Sequence, residues 1–124
     1  MCWLVGINAN NAWSKGQAIM ITFSEAELRV KIIKAMAHPV RLMVIEFLRG
    51  GERPFSAIFS LFQLDKSTIS KHLLVLKEAG IVSSRKTGTE TIYKLEVPCV
   101  ADFFNCATVV IENNVKKQMK CLCR

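Results

Sequence analysis

LDKSTISKHLLVLKEAGIV, residues 64–82, is the stretch of this 124-residue sequence that decides the fold. Asp65 is suited to be an N-cap, because its carboxylate can accept hydrogen bonds from the unpaired N–H groups of a first helical turn. Apolar residues recur behind it at helical spacing, and Gly80 stands where a left-handed C-cap belongs. The stretch therefore predicts an amphipathic helix that ends near Gly80 and leads into an extended segment from Ile81.

The first half of this predicted helix carries a cluster of polar and basic side chains. They are Lys66, Ser67, Thr68, Ser70, Lys71 and His72. A helix with such an N-terminal half and an apolar back is suited to the DNA major groove. A surface helix with a solvated charged face has the same periodicity, so the neighbouring segments have to decide between the two interpretations.

The surrounding sequence predicts four more helices and one β-hairpin. Ser24 is the expected N-cap of the first helix, Pro39 suits the first turn of the second, and Gly88 can adopt positive φ in the hairpin turn. The third and fourth helices are joined by a tight turn, which is helix-turn-helix spacing. Together these segments predict a mainly α fold with a β-hairpin wing, a winged helix-turn-helix. The predicted helices are 25–37, 39–48, 54–62 and 99–119, besides the one from Asp65, and the strands are 81–86 and 91–96.

The last predicted helix has a long apolar face and no later element to cover it. We expect this face to pack on the first helix and on the same helix of a second subunit, so that the chain dimerises through its terminal helices. A two-fold dimer would place two recognition helices about one DNA turn apart. The expected partners are therefore a second copy of the chain and double-stranded DNA.

The net charge of +7 favours an anionic partner. Residues 66–94 contain six basic side chains against two acidic ones. The length fits one domain, which we expect over residues 21–119. Residues 1–20 lack periodicity and are predicted to be a disordered extension, or to reflect a start codon assigned too early. Residues 120–124 are predicted to form a cysteine-containing tail.

The five cysteines are clustered towards one end of the chain. They are Cys2, Cys99, Cys106, Cys121 and Cys123. An odd, clustered set with no convincing signal peptide argues against a secreted disulfide framework. No apolar run reaches the length of a membrane span. We therefore expect a cytoplasmic protein with reduced thiols and no membrane partner.

Three stretches of the sequence resemble the ArsR family of metal- and thiol-responsive repressors. They are AMAHPVRLMVIEFL at 35–48, STISKHLLVLKEAGIV at 67–82 and RKTGTETIYKL at 85–95. The resemblance covers about residues 25–105. It implies a homodimeric winged-helix repressor that leaves its operator when an inducer binds.

The resemblance also implies which residues contact DNA. On the recognition helix they are Ser67, Thr68, Ser70, Lys71 and His72, and in the wing they are Arg85 and Lys86. Hydroxyls near a helix N-terminus can help to hold a phosphate, and Lys71 can reach guanine acceptors or a phosphate. Lys66 fits either a DNA contact or a solvated lysine. Two alternative roles stay open, because Ser67 can serve the cap alone and His72 can pack at the base of the helix.

Two sensing sites found in the family are missing from this sequence: an arsenic or cadmium site on the third helix and a zinc site on the last helix. The third helix, PFSAIFSLF at 54–62, contains no cysteine, and the only histidines are His38, which we expect to be structural, and His72. Thiols therefore remain as candidate ligands. On one helix, Cys99 and Cys106 would lie about 10.5 Å apart along the axis, which is too far for a direct disulfide. A bridging ligand therefore requires that Cys99 lies outside the helix and folds back, that a tail thiol approaches Cys106, or that a partner subunit contributes a ligand.

The leading hypothesis is a thiolate site for As(III) or Sb(III), the expected inducers, formed by Cys99, Cys106 and either Cys121 or Cys123. One alternative is a thiol switch, in which Cys99 and Cys106 join through a polysulfide or a disulfide. In another, Cys106 belongs to the core, the tail thiols are incidental and the inducer binds elsewhere. A protein of a different class, a small metal-trafficking protein, would account for the tail but not for the basic hairpin. No arrangement of catalytic residues indicates an enzyme.

Overall fold

The computed structural model describes residues 21–122, and it confirms a mainly α fold with a β-hairpin wing. The elements, in chain order, are α1 (Phe23–Met36), α2 (Pro39–Leu48), β1 (Arg53–Pro54), α3 (Phe55–Phe59), α4 (Lys66–Glu78), β2 (Val82–Thr87), β3 (Glu90–Leu95) and α5 (Val100–Leu122). The predicted extension over residues 1–20 lies outside the described residues, as does Cys123 of the predicted tail.

The first helix begins two residues earlier than the sequence suggested. Thr22, not Ser24, is its N-cap. The Glu25 backbone N–H donates to the Thr22 hydroxyl at 3.2 Å, and the Thr22 N–H donates to the Glu25 carboxylate at 2.7 Å. This reciprocal capping box pairs two otherwise unsatisfied N–H groups, which Ser24 alone would not do.

The sheet contains a strand that the sequence analysis did not predict. Arg53 and Pro54 form the edge strand β1, which pairs antiparallel with β3 opposite Tyr93 and Ile92. The strand order is β1-β3-β2. Because Pro54 belongs to β1, α3 begins at Phe55 rather than at Pro54 and ends before the predicted boundary. Proline is tolerated here because it lies on the edge of the sheet.

The core fixes which face of α4 points outward. Ile69, Leu73 and Leu76 line the back of α4, and each is at most 1 % exposed. They pack with residues of α2, α3 and the hairpin, among them Ile45, Leu48, Ile58, Ile81 and Leu95. Burial of each such side chain contributes about 1.5–3 kcal/mol. The polar front of α4 is therefore held towards solvent.

The apolar faces of α1 and α5 are largely exposed in the single chain. The exposed apolar side chains include Leu28, Ile32, Ile33, Phe103, Val110, Ile111, Val115 and Met119. Ala101, which is 1 % exposed, and Phe104, which packs on the core, anchor the start of α5. Exposed apolar surface of this extent marks an interaction site. Among the described helices, none is both long enough and apolar enough to span a membrane.

Candidate nucleic-acid interface

The start of α4 is held by Asp65. The Asp65 carboxylate accepts hydrogen bonds from the Thr68 backbone N–H at 3.0 Å, from the Thr68 hydroxyl at 2.7 Å and from the Ser67 hydroxyl. These bonds, led by the one from Ser67, hold the pKa of the Asp65 carboxyl well below its usual range. The Ser67 and Thr68 hydroxyls are therefore both hydrogen-bonded within the N-cap of α4.

The next turn of α4 presents the side chains that face solvent. Ser70 and Lys71 are exposed, and so is Lys66 at the first helical position. The Lys66 ammonium lies 5.9 Å from the centroid of the Phe59 ring, which is within range for a cation–π contact. Lysines close to a helix N-terminus, where the helix dipole is positive, create a surface suited to phosphate.

His72 lies at the base of α4 rather than on its exposed front. Its ring centroid is 4.3 Å from that of His38, which is the N-cap of α2 and accepts the Val40 N–H at its Nδ1. Burial lowers the pKa of His72, and the nearby His38 and Arg41 lower it further. The lowered pKa favours the neutral form of the His72 imidazole. The expected structural role of His38 at a helix boundary is confirmed.

The wing is the β2–β3 hairpin, and its turn contains Gly88 with φ of 63°. The positive φ is the conformation expected of this glycine. Arg85 is already paired: its Nη2 lies 2.9 Å from a Glu52 carboxylate oxygen, and its Nη1 donates to the Thr87 hydroxyl at 2.8 Å. Lys86 is exposed and points to the opposite face of the strand.

The recognition helix and the tip of the wing border a common cleft. The cleft has a volume of about 380 Å³ and is lined by Phe55, Ser56, Phe59, Lys66, Thr89, Glu90 and Thr91. The Ser56 hydroxyl donates to the Glu90 carboxylate, which ties the wing to α3. Lys66 and the wing tip therefore lie on the same side of the molecule.

Sequence reasoning missed Glu52 and Ser56. Each contacts a residue that lies more than 30 positions further along the chain. No local pattern marks such a pair, because the contact exists only once the sheet has formed.

The cysteines do not form a ready-made metal site within one chain. Cys99, Cys106 and Cys121 are exposed, and residues 21–122 contain no group of three His, Cys, Asp or Glu side chains able to hold a metal ion. Cys99 lies just outside α5, which begins at Val100.

Within a single chain, the structure keeps Cys121 away from Cys106. The helix α5 continues to Leu122. Cys106 and Cys121 are fifteen residues apart on this helix, which separates them by about 22 Å along its axis. A thiolate that shares a bound ion with Cys106 therefore cannot be Cys121 of the same chain.

Known proteins resemble both the sequence and the fold. Residues 38–84, from the N-cap of α2 into β2, match the family model for bacterial regulatory proteins of the arsR family. The transcriptional repressor SdpR of Bacillus subtilis is 31% identical over 74 residues, which cover 60% of this chain and 82% of SdpR.

Two mycobacterial proteins extend the comparison. The HTH-type transcriptional regulator Rv0081 of Mycobacterium tuberculosis is 31% identical over 86 residues, which cover 68% of this chain and 75% of Rv0081. Its crystal structure matches with a TM-score of 0.68 and 27% identity, over 79% of this chain and 99% of the other. The homodimeric winged helix-turn-helix DNA-binding domain of Mb0332 from Mycobacterium bovis matches with a TM-score of 0.63 and 25% identity, over 92% of this chain and 95% of the other. The chain therefore belongs to the arsR family of bacterial regulatory proteins, whose members are regulators rather than enzymes.

Proposed function

We propose that this protein is a homodimeric, DNA-binding transcriptional repressor that is located in the cytoplasm and releases its operator when an inducer binds Cys99, just before α5, and Cys106 of α5. The observation that carries the DNA-binding role is the orientation of α4. Its capped start presents Lys66, Ser70 and Lys71 to solvent beside the wing, while its apolar back is buried in the core. The repressor SdpR and the homodimeric domain of Mb0332 support the same role.

Dimerisation is supported by the exposed apolar faces of α1 and α5. A second copy that covers these faces would remove them from water, which is the main driving force for association. A two-fold axis then repeats the recognition helix at a spacing that matches successive major grooves.

The DNA-binding role is tested by titrating the protein against a labelled duplex from the region upstream of its own gene. If a dimer neutralises six to eight phosphates, the logarithm of the affinity falls with the logarithm of salt concentration at a slope of about −5 to −7. Lys66→Gln, at the exposed start of α4, should weaken binding and make this slope shallower by about two, one per subunit. Lys77→Gln, near the other end of α4, is the matched control and should change neither. Absence of binding at low salt would refute the DNA-binding role.

For the inducer, we propose As(III) or Sb(III) bound by Cys99, Cys106 and a third thiolate from a second subunit. Soft thiolates suit these ions. Both cysteines are exposed at the start of α5, where the helix joins the core through Ala101. Ligand binding there would act on the connection between α5 and the DNA-binding elements.

The inducer is tested by adding arsenite to the protein–DNA complex and following release of the labelled duplex. Cys106→Ser should abolish release, whereas Cys2→Ser, which changes a thiol outside the proposed ligand set, should leave release intact. Release that persists in Cys106→Ser would show that the site is elsewhere. Release by a persulfide donor but not by arsenite would identify a thiol switch instead of a metalloid site.

A further inference from the structure

Glu52 lies outside the elements expected to contact DNA, yet it holds one of their arginines. It lies between α2 and β1 and follows Gly51, whose φ of 125° turns the chain towards the sheet. Its carboxylate receives the Arg85 Nη2 donor at 2.9 Å across 33 positions of sequence. The pair therefore joins the body of the domain to the wing.

The Glu52–Arg85 pair can be exchanged for a pair with DNA. The two side chains are 44% and 59% exposed, so the ion pair lies in water. An exposed ion pair is worth only a factor of about 1.5 to 5 in an equilibrium constant. A phosphate offers the guanidinium the same charge and the same forked geometry as a carboxylate.

The wing keeps its place when Arg85 changes partner. The Ser56 hydroxyl donates to Glu90 at the opposite strand of the hairpin, and β3 pairs with β1. The loss of one exposed ion pair therefore leaves the hairpin attached to α3 and to the sheet.

We propose that Glu52 determines DNA affinity, because it holds Arg85 in the free protein and competes for it with a backbone phosphate. This inference rests on the proposed DNA-binding function. Binding transfers Arg85 from Glu52 to the phosphate and leaves the Glu52 carboxylate beside a polyanion. Glu52 thus weakens contacts that the wing would otherwise make with any duplex.

The test measures the affinity of Glu52→Gln for the upstream duplex and for a random duplex of equal length. In a Glu52→Gln dimer neither subunit has to break the ion pair, so the affinity for DNA should rise about 2- to 25-fold, which is the square of the factor for one pair. The gain should shrink as salt rises, because salt weakens the pair in the unsubstituted protein. Glu46→Gln is the matched control: Glu46 pairs with Arg49 at 3.9 Å on α2, is 46% exposed, and its substitution makes the same change in charge away from the wing.

The dependence on Arg85 is tested in a double-substitution cycle. In an Arg85→Gln background, Glu52→Gln should strengthen binding less than it does with Arg85 present, because only the repulsion between the Glu52 carboxylate and the phosphates is then removed. The inference would be overturned if Glu52→Gln raised the affinity as much without Arg85 as with it, or if Glu52→Gln bound DNA more weakly than the unsubstituted protein. Thermal melts of all variants verify folding, which substitution of exposed side chains should preserve. If the unsubstituted protein bound neither duplex, the proposed function itself would fail, and this inference with it.

Discussion

Replacement of Leu76 by alanine tests the orientation of the recognition helix. Leu76 is 0% exposed in the core, whereas Leu74, two positions earlier on the same helix, is 52% exposed. Truncation of a buried leucine to alanine costs about 2–5 kcal/mol, because apolar contact is lost and a cavity remains. Leu74→Ala should cost less than about 1 kcal/mol, since its side chain is already half in water.

The assay is urea unfolding followed by circular dichroism, at one protein concentration because the expected dimer makes stability concentration-dependent. For a domain of about 100 residues, each 1 kcal/mol shifts Tm by about 4–8 °C, so thermal melts should separate the two variants clearly. If Leu74→Ala destabilised the protein as much as Leu76→Ala, α4 would be rotated about its axis. The assignment of Ser70 and Lys71 to its outer face would then be wrong.

Three further outcomes are expected. Because the pKa of His72 is lowered in the folded protein, the unfolded chain binds more protons near and below the ordinary histidine pKa of 6.5. The free energy of unfolding should therefore fall as the pH decreases below that value. Urea titrations at pH 7.5 and 5.5 should show a smaller fall in the free energy of unfolding for His72→Gln. Gly88→Val should lower Tm, since the φ of 63° at this position strains a branched side chain. Gly88→Asn should lower Tm less, and an equal Tm for the two variants would contradict the strained turn. Val110→Glu should convert the dimer to a monomer in sedimentation experiments, and a retained dimer would exclude this part of α5 from the interface.

Local chemistry made the recognition helix and the wing predictable. Asp65 caps α4 as expected, and Gly80 and Gly88 both adopt positive φ. A cap or a turn depends on residues within a few positions of each other, so the printed sequence contains the whole signal. Thr22 shows the limit of such signals, because Thr22 and Ser24 both offer a capping hydroxyl and only the reciprocal bond with Glu25 decides between them.

Contacts between distant segments were not predictable. A two-residue strand such as Arg53–Pro54 has no periodicity, and Glu52 meets Arg85 only because β1 joins the sheet. The position of Cys121 was not predictable for another reason. A helix end is set weakly by sequence when no glycine or proline follows, and the continuation to Leu122 carries Cys121 away from Cys106.

The cap at Asp65 has a consequence for which bases the protein selects. Because the Ser67 and Thr68 hydroxyls donate their protons to the Asp65 carboxylate, the first turn offers no free hydroxyl proton to a base, and we expect the side chains that read bases to begin one turn later, at Ser70, Lys71 and Leu74. A lysine matches the O6 and N7 acceptors of guanine, and an exposed leucine matches the methyl group of thymine. We therefore expect each operator half-site to contain a guanine near a thymine, with little discrimination at the base pairs beside the capped first turn.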